Sequence, residues 1–389
     1  MVFPGLAQDC LAAVGAFPTS HYPIASVLPT LRIALLRLAR LAGLFRAAEM
    51  ITARRLRIVC YHGASWSDEH RFRPTLFMSP ETFPRRMNWL KSRNFRVLAL
   101  QDALRLLEAG RLPSKATVIT IDDGWSGTFR HMLPVLRELG FPATLYVATR
   151  PLKRGGLIAH VLVDYLLWRA TDREFDLAVV DRKLFGRTAL KTPEDRQRAA
   201  DAINGALRQE ATHHDRIALI ERLAVALGQE SHMANFPALA RLMTPDELAA
   251  ARSYGVDVQL HSHTHRMPVG KAERLRREIR ANRAALGPCA SSALNHFCYP
   301  SGVHDPSALA VLAELGIESA TTCEPGLADA GTHRLLLPRI LDADDIPQIV
   351  FEAEMSGLLE IARRCRRFFT GRQTPSPRSS TAEAAKPVA

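Results

Sequence analysis

A short apolar run that ends in charge constrains this chain most. Val118-Ile119-Thr120-Ile121 is β-branched throughout and runs straight into Asp122-Asp123-Gly124. Such a run reads as a strand buried on both faces, as in a parallel sheet, and Gly124 permits the sharp turn that follows. Two carboxylates then stand at the carboxyl end of a central strand, the edge where barrels and open α/β sheets carry their chemistry. Neighbouring side chains on a strand point to opposite sides, so Asp122 and Asp123 can hold different tasks. Alone, an Asp-Asp-Gly more often ends a strand in a turn or a helix cap; the rest of the chain decides between the two.

Around it, strands and helices alternate. Leu56–Tyr61 reads as a first strand followed by His62-Gly63, and Ser79–Asn94 as a helix with Phe83, Met87 and Leu90 at helical spacing. Next come a short strand Arg96–Leu100, a helix Gln101–Ala109, the Asp-Asp strand, a helix Thr128–Leu139 closed by Gly140, and a strand Ala143–Ala148. Residues 151–240 break the rhythm and read as a helical insertion, with helices near 157–169, 193–208 and 213–228. The alternation returns with Thr244–Tyr254, a helix whose Thr244, Pro245 and Glu247 spell a capping box. Strands follow at Val256–Leu260, Asn295–Tyr299, Ile317–Thr322 and Arg334–Leu337, with helices at Lys271–Leu286 and Pro306–Leu315 between them. This order implies a parallel α/β sheet or barrel.

The charge of +12 belongs to the ends. Residues 1–57 hold seven Arg against Asp9 and Glu49, and residues 358–389 hold six Arg and one Lys against two Glu, which leaves the body near neutral and gives no argument for nucleic-acid binding. We therefore divide the chain into a basic amphipathic segment 1–54, a catalytic body 55–357, and a basic, disordered tail 358–389 whose composition beyond Arg372 is that of unfolded chain. In Pro29–Met50, the arginines Arg32, Arg37, Arg40 and Arg46 fall within one half of a helical wheel. Such a helix either lies on an anionic membrane surface or packs on the domain. The six cysteines form no Cys-x-x-Cys and favour a reducing compartment. With no secretory signal and no long apolar span, the expected location is cytoplasmic or peripheral at the inner membrane.

Four strand ends carry polar groups: His62, Asp122 with Asp123, the run His261-Ser262-His263-Thr264-His265, and the turn after Tyr299. A parallel fold gathers them on one face. His261 and His265 can converge on one ion, and one carboxylate completes a His₂-carboxylate set with coordination positions left open. His263 reads as solvated or as a support for the others.

Thr120-Ile121-Asp122-Asp123-Gly124 resembles the first motif of the polysaccharide deacetylase family (the NodB-homology domain, carbohydrate esterase family 4), and His261-Ser262-x-x-His265 resembles its second. Pro134 and Gly140-Phe141-Pro142-Ala143-Thr144 are also similar, and the likeness covers roughly residues 56–340. The resemblance implies a distorted (β/α) barrel, one divalent metal ion (zinc before other transition metals), and hydrolysis of acetyl groups on an N-acetylated glycan or glycolipid. It makes Asp122 the general base and Asp123, His261 and His265 the metal ligands. The family's third motif has an Arg near an aromatic-Pro pair. Here Phe297-Cys298-Tyr299-Pro300 keeps the pair without the Arg, and Arg339 after Pro338 stands in to orient Asp122. The late Leu-His motif that supplies the family's general acid is absent; Tyr61-His62 matches the alternative in the branch resembling poly-N-acetylglucosamine deacetylases, with His333 the next candidate.

The residue types suit amide hydrolysis. A divalent ion polarises the carbonyl and acidifies water, Asp122 takes the water's proton, the backbone N–H of Tyr299 shares the oxyanion, and His62 protonates the departing amine. Two rivals stand beside this reading: a deacylase for another amide or ester, and a membrane-tethered glycan-binding or scaffold protein of the same fold.

Overall fold

The computed structural model describes residues 27–152, 156–170, 174–209, 212–229 and 239–369. Its centre is seven parallel strands: β1 (Arg57–Tyr61), β2 (Ala116–Ile121), β3 (Ala143–Val147), β4 (Val256–Leu260), β5 (His296–Cys298), β6 (Ser319–Pro325) and β7 (Leu337–Leu341). Each pairs with the next in chain order, and β7 returns to β1 with Val59 opposite Ile340. The sheet thus closes into a distorted (β/α) barrel of the NodB-homology type. A two-residue strand, Arg96–Val97, adds to the start of β2.

Every residue of β1 and β2 is buried, as the continuous apolar runs require. The pleat sorts them into two sets. Val59, Tyr61, Ile119, Ile121, Leu145 and Val147 join the cluster beneath the outer helices. Ile58, Val118, Tyr146, Cys298 and Leu337 join a second cluster in the barrel lumen, shared with Leu100, Ala103, Leu104 and Leu107 of the helix Leu100–Glu108, which plugs the end where the strands begin. Cys60, Thr120, Asp122 and Arg339 share the lumen parity.

The outer helices follow their sequence signals. Phe83, Met87 and Leu90 are the buried stripe of Thr82–Ser92. The Thr244–Glu247 capping box forms in both directions, and Gly140 and Gly255 take left-handed caps. Residues 151–240 contain the three expected helices, Ala159–Arg169, Pro193–Gln209 and His213–Ala226, and also an antiparallel ribbon of Glu174–Asp176 and Arg187–Ala189. They have their own core, which Phe72, Phe77 and Trp125 connect to the barrel loops.

Three expectations need correction. The Pro29–Met50 segment is two helices, α1 (Val27–Leu41) and α2 (Leu44–Ile51), because Gly43 takes φ 77° between them. Residues 358–369, expected in the disordered tail, form a helix; Leu358 and Leu359 pack on α3 (Gln348–Ser356), and we label this last helix α4 (Leu358–Phe369). The tail beyond Arg372 and residues 1–26 lie outside the described residues. The strand expected at Arg334–Leu337 is a short 3₁₀ turn there, and β7 begins at Leu337 and runs through Pro338 and Arg339. Proline is tolerated near the first residue of a strand, where its missing N–H is least needed.

The loops after β1 and β2 interlock. A Cβ at Gly127 would lie 1.8 Å from the Ala64 carbonyl oxygen, and one at Gly63 would lie 2.9 Å from the Trp125 Cβ. Gly127→Ala must therefore push the two loop backbones away from each other, and we expect it to lose about 3 kcal/mol of stability in urea unfolding. Gly205→Ala, in helix Pro193–Gln209 with only the Arg208 guanidinium near its Cβ position, should instead gain about 0.5–1 kcal/mol.

Candidate active site and metal centre

The carboxyl ends of the strands bring the sequence-derived residues together. Asp122 and Asp123 follow β2, and the turn that begins there sends them apart. Asp122 turns into the lumen. Both its oxygens accept hydrogen bonds from the Arg339 guanidinium, each at 2.8 Å. Arg339 is fully buried in β7 and also donates to the Thr322 carbonyl (2.8 Å) and to Thr120 Oγ1 (3.3 Å). The thiols of Cys298 (3.4 Å) and Cys60 (3.6 Å) reach Asp122 Oδ2. Burial alone would raise the Asp122 pKa; the Arg339 charge and hydrogen bonds, aided by His261 and His62, outweigh it and hold the carboxyl down to about 2. Burial pushes both thiols well up, so they stay neutral.

Asp123 faces the histidines. Its Oδ1 lies 3.1 Å from His265 Nε2 and 3.4 Å from His261 Nε2, and those two nitrogens are 3.2 Å apart. Ligand bonds of about 2.0–2.2 Å at ordinary coordination angles put donor atoms roughly 3.0–3.4 Å apart, so this triangle fits one divalent ion. The outer contacts agree. His261 Nδ1 is 2.8 Å from the Cys298 carbonyl, which assigns the proton to Nδ1 and leaves Nε2 bare. Trp125 Nε1 donates to Asp123 Oδ2 at 3.0 Å, leaving Oδ1 for the ion. Burial works to raise the Asp123 pKa, but His265 and His261 bring it well below the carboxylate range. For His261, burial works to lower the pKa, yet Asp123 and Asp122 leave it raised.

The loops that carry this triangle need unusual backbone. Asp123 (φ 70°), Ser262 (φ 59°) and His265 (φ 57°) all lie in the left-handed region without being glycine. Asn282, fully buried on helix Ala272–Leu286, accepts from the His261 N–H (2.9 Å) and donates to the Val147 carbonyl and Thr149 Oγ1 (3.0 Å each). Glu278 on the same helix accepts from the Thr264 N–H at 2.7 Å. These two were missed in the sequence, although the signal was there: Asn282 interrupts the stripe Leu275, Ile279, Leu286. His263 Nδ1 contacts Thr149 Oγ1 at 2.9 Å and stays outside the triangle, as expected.

His62 follows β1 and is half-buried, and one of its ring nitrogens lies within 4.8 Å of an Asp122 oxygen and of the Cys60 sulfur. The reserve acid His333 is exposed, caps the turn before β7 at the opposite end of the barrel, and accepts from the Leu335 N–H. The oxyanion role expected of Tyr299 needs correction. Its N–H donates to the Thr321 carbonyl at 3.1 Å, so the β5–β6 ladder has already claimed that donor.

Fold and site together define a parallel (β/α) barrel with a two-histidine, one-carboxylate triangle beside a buried Asp–Arg pair. The family model described as polysaccharide deacetylase matches residues 109–174 and 193–320, and the chain belongs to that family. The match passes over residues 175–192, which hold all of the antiparallel ribbon but its first residue, Glu174. YxkH of Bacillus subtilis (strain 168), provisionally named a polysaccharide deacetylase, is 29% identical over 94 residues, which is 24% of this chain and about a third (32%) of that relative's length. Among solved structures, the Streptococcus pyogenes deacetylase PplD in complex with acetate is similar in fold, with a TM-score of 0.50 at 16% identity over 79% of this chain and 98% of that one. IcaB from Ammonifex degensii aligns over 78% of this chain and 97% of its own at 16% identity, with a TM-score of 0.46.

The buried pair yields a prediction. A folded-state pKa near 2, against 3.8 for the free side chain, means that Asp122 contributes stability above the free value and loses it as pH falls toward 2. Arg339→Met reverses the sign by leaving an unpaired buried carboxylate. We expect it to lose about 3–5 kcal/mol near pH 7, and the gap to the native protein should narrow as pH falls to about 4 and Asp122 takes a proton. Urea unfolding of the metal-free proteins at both pH values checks this.

Proposed function

We propose that this protein is a metal-dependent hydrolase that removes N-acetyl groups from a glycan or glycolipid. The observation that carries the reading is the split at the end of β2: one carboxylate in the histidine triangle, its neighbour clamped by Arg339. Asp123, His261 and His265 would hold the ion, zinc being the transition metal best suited to such a set. A divalent cation there supplies Lewis acidity toward an acetyl oxygen and lowers the pKa of water.

The chain's own residues supply the rest. Arg339 fixes both oxygens of Asp122, so the base keeps one orientation while it takes a proton from the attacking water. Held so low, Asp122 does not retain that proton. His62, within 4.8 Å of it, is the neighbouring imidazole that protonates the departing amine. Cys60 and Cys298, neutral and buried, keep water from the far side of the carboxylate. Belonging to a family of deacetylases supports the reading, and Tyr299, whose N–H is committed, is left out of it.

The direct test is release of acetate and free amine from N-acetylglucosamine oligomers and N-acetylated glycolipids, after chelation and again after zinc is restored. Activity that survives thorough chelation would overturn the reading. His265→Ala should lose most bound metal and nearly all activity, while His263→Ala keeps its metal; measuring metal content of the purified variants decides this.

The two proton carriers separate kinetically. Asp122→Asn should retain metal and lose about 10²-fold or more in kcat on every substrate. His62→Ala should also retain metal and slow amide cleavage by about 10²-fold, but an activated aryl acetate, whose leaving group needs no proton, should be much less affected. Equal loss on amide and aryl ester would assign His62 to positioning.

A further inference from the structure

Helix α1 is apolar on two opposite sides, unlike an ordinary surface helix. On the wheel, Ile33, Leu36 and Arg40 share one side; Leu36 is buried against Ile349 and Ala353 of α3, and Arg40 pairs with Glu352 at 2.9 Å. Leu31, Leu35, Leu38 and Leu41, spaced four and three apart, fall on the opposite side, which faces outward, with exposures of 54%, 56%, 60% and 81%. Arg32 and Arg37 flank this leucine stripe on either side, both exposed. The α1 sequence contains no acid. Leu44, Met50 and Ile51 of α2 extend the exposure, so seven of the twelve large exposed apolar side chains among the described residues fall within residues 31–51. A helix that is apolar on two opposite faces normally has both covered, and an apolar patch rimmed by charge marks a docking surface.

The charge pattern selects the occupant. Two copies of the chain meeting through this stripe would bring their Arg32 and Arg37 rows together with no acid on α1 to separate them. Residues 1–26 carry only Asp9 as a counter-charge. A surface of anionic headgroups over an apolar layer matches both features at once. We propose that α1 docks on an anionic lipid bilayer, with Leu31, Leu35, Leu38 and Leu41 entering the acyl boundary and Arg32 and Arg37 on the headgroups. No described helix is long and apolar enough to cross the membrane, so this contact lies in the surface plane. It is independent of the catalytic reading: none of these side chains touches the metal triangle or Asp122.

The test is cosedimentation of the full chain with vesicles of phosphatidylcholine alone and of phosphatidylcholine with about 30% phosphatidylglycerol, with the oligomeric state followed by analytical ultracentrifugation. Binding should be at least about tenfold tighter on the anionic vesicles, since each basic residue at a charged surface contributes about 1 kcal/mol, and should weaken with salt. The triple variant Leu31→Gln, Leu35→Gln, Leu38→Gln should lose about tenfold or more in vesicle affinity. Arg32→Gln with Arg37→Gln should lose the preference for anionic lipid. All these positions are exposed, so both variants should melt like the native protein and deacetylate a soluble oligosaccharide at its rate. Absence of binding to anionic vesicles at low salt would overturn the proposal. So would undiminished binding by the leucine variant, which would move the contact to another basic segment. A stable native dimer that the leucine variant dissociates would assign the face to a second copy instead.

Discussion

The Arg339–Asp122 pair sits where a charge is hardest to keep. Both residues lie in the lumen of the barrel, away from water, and taking two ions there costs several kcal/mol each unless the geometry is close to ideal and the remaining donors find acceptors. Here they do: two 2.8 Å bonds join the pair, and the guanidinium also reaches the Thr322 carbonyl and Thr120. The partners come from strands 217 residues apart in the chain, and they meet only because β7 returns to β1 and β1 lies beside β2. Barrel closure and the orientation of Asp122 are therefore one event. A chain that failed to close would leave a carboxylate and a guanidinium buried without each other.

Outside the lumen, the residues of the histidine triangle are held by a second set of contacts that shares little with the first. Trp125 turns Asp123, the Cys298 carbonyl turns His261, and Asn282 ties the His261 backbone to the end of β3. Trp125 also packs on Phe77 at a ring distance of 5.0 Å and belongs to the core of the helical insertion. The insertion is thus seated directly behind Asp123, and the packing of its described residues bears on the orientation of that carboxylate. Cys298 is the one residue that serves both sets, its sulfur toward Asp122 and its carbonyl toward His261.

What could be read from the sequence was what repeats with a period or stands beside a strand end. The β-branched run gave away β2, the spacing of Phe83, Met87 and Leu90 gave away a helix, and polar residues directly after apolar runs located His62, Asp122, Asp123, His261 and His265 at one edge. Arg339 was legible only through its neighbour Pro338. Contacts made across the barrel left weaker traces. Cys60 and Cys298 looked like small hydrophobes because buried thiols and small apolar residues occupy the same kind of position. The Tyr299 N–H was assigned to an oxyanion because the sequence cannot say which backbone donors a neighbouring strand has already taken. The helix at 358–369 was hidden by its own arginines, which composition reads as tail; Arg363 and Arg364 in fact grip Glu354 and Glu360.

The opposite facing of Asp122 and Asp123 has a consequence for how this site can change over time. The roles of the two residues differ because Asp122 continues the lumen parity of β2 while a left-handed turn at Asp123 (φ 70°) carries it to the histidines, so their order is part of the chemistry. A single-residue deletion in β2 would carry Asp123 into the lumen against Arg339 and bring Gly124 to the histidine corner. The histidines would keep their places, yet the third donor would be gone. Lineages descended from this chain can vary the insertion, the helices and both ends in length, but the six residues of β2 are a fixed measure.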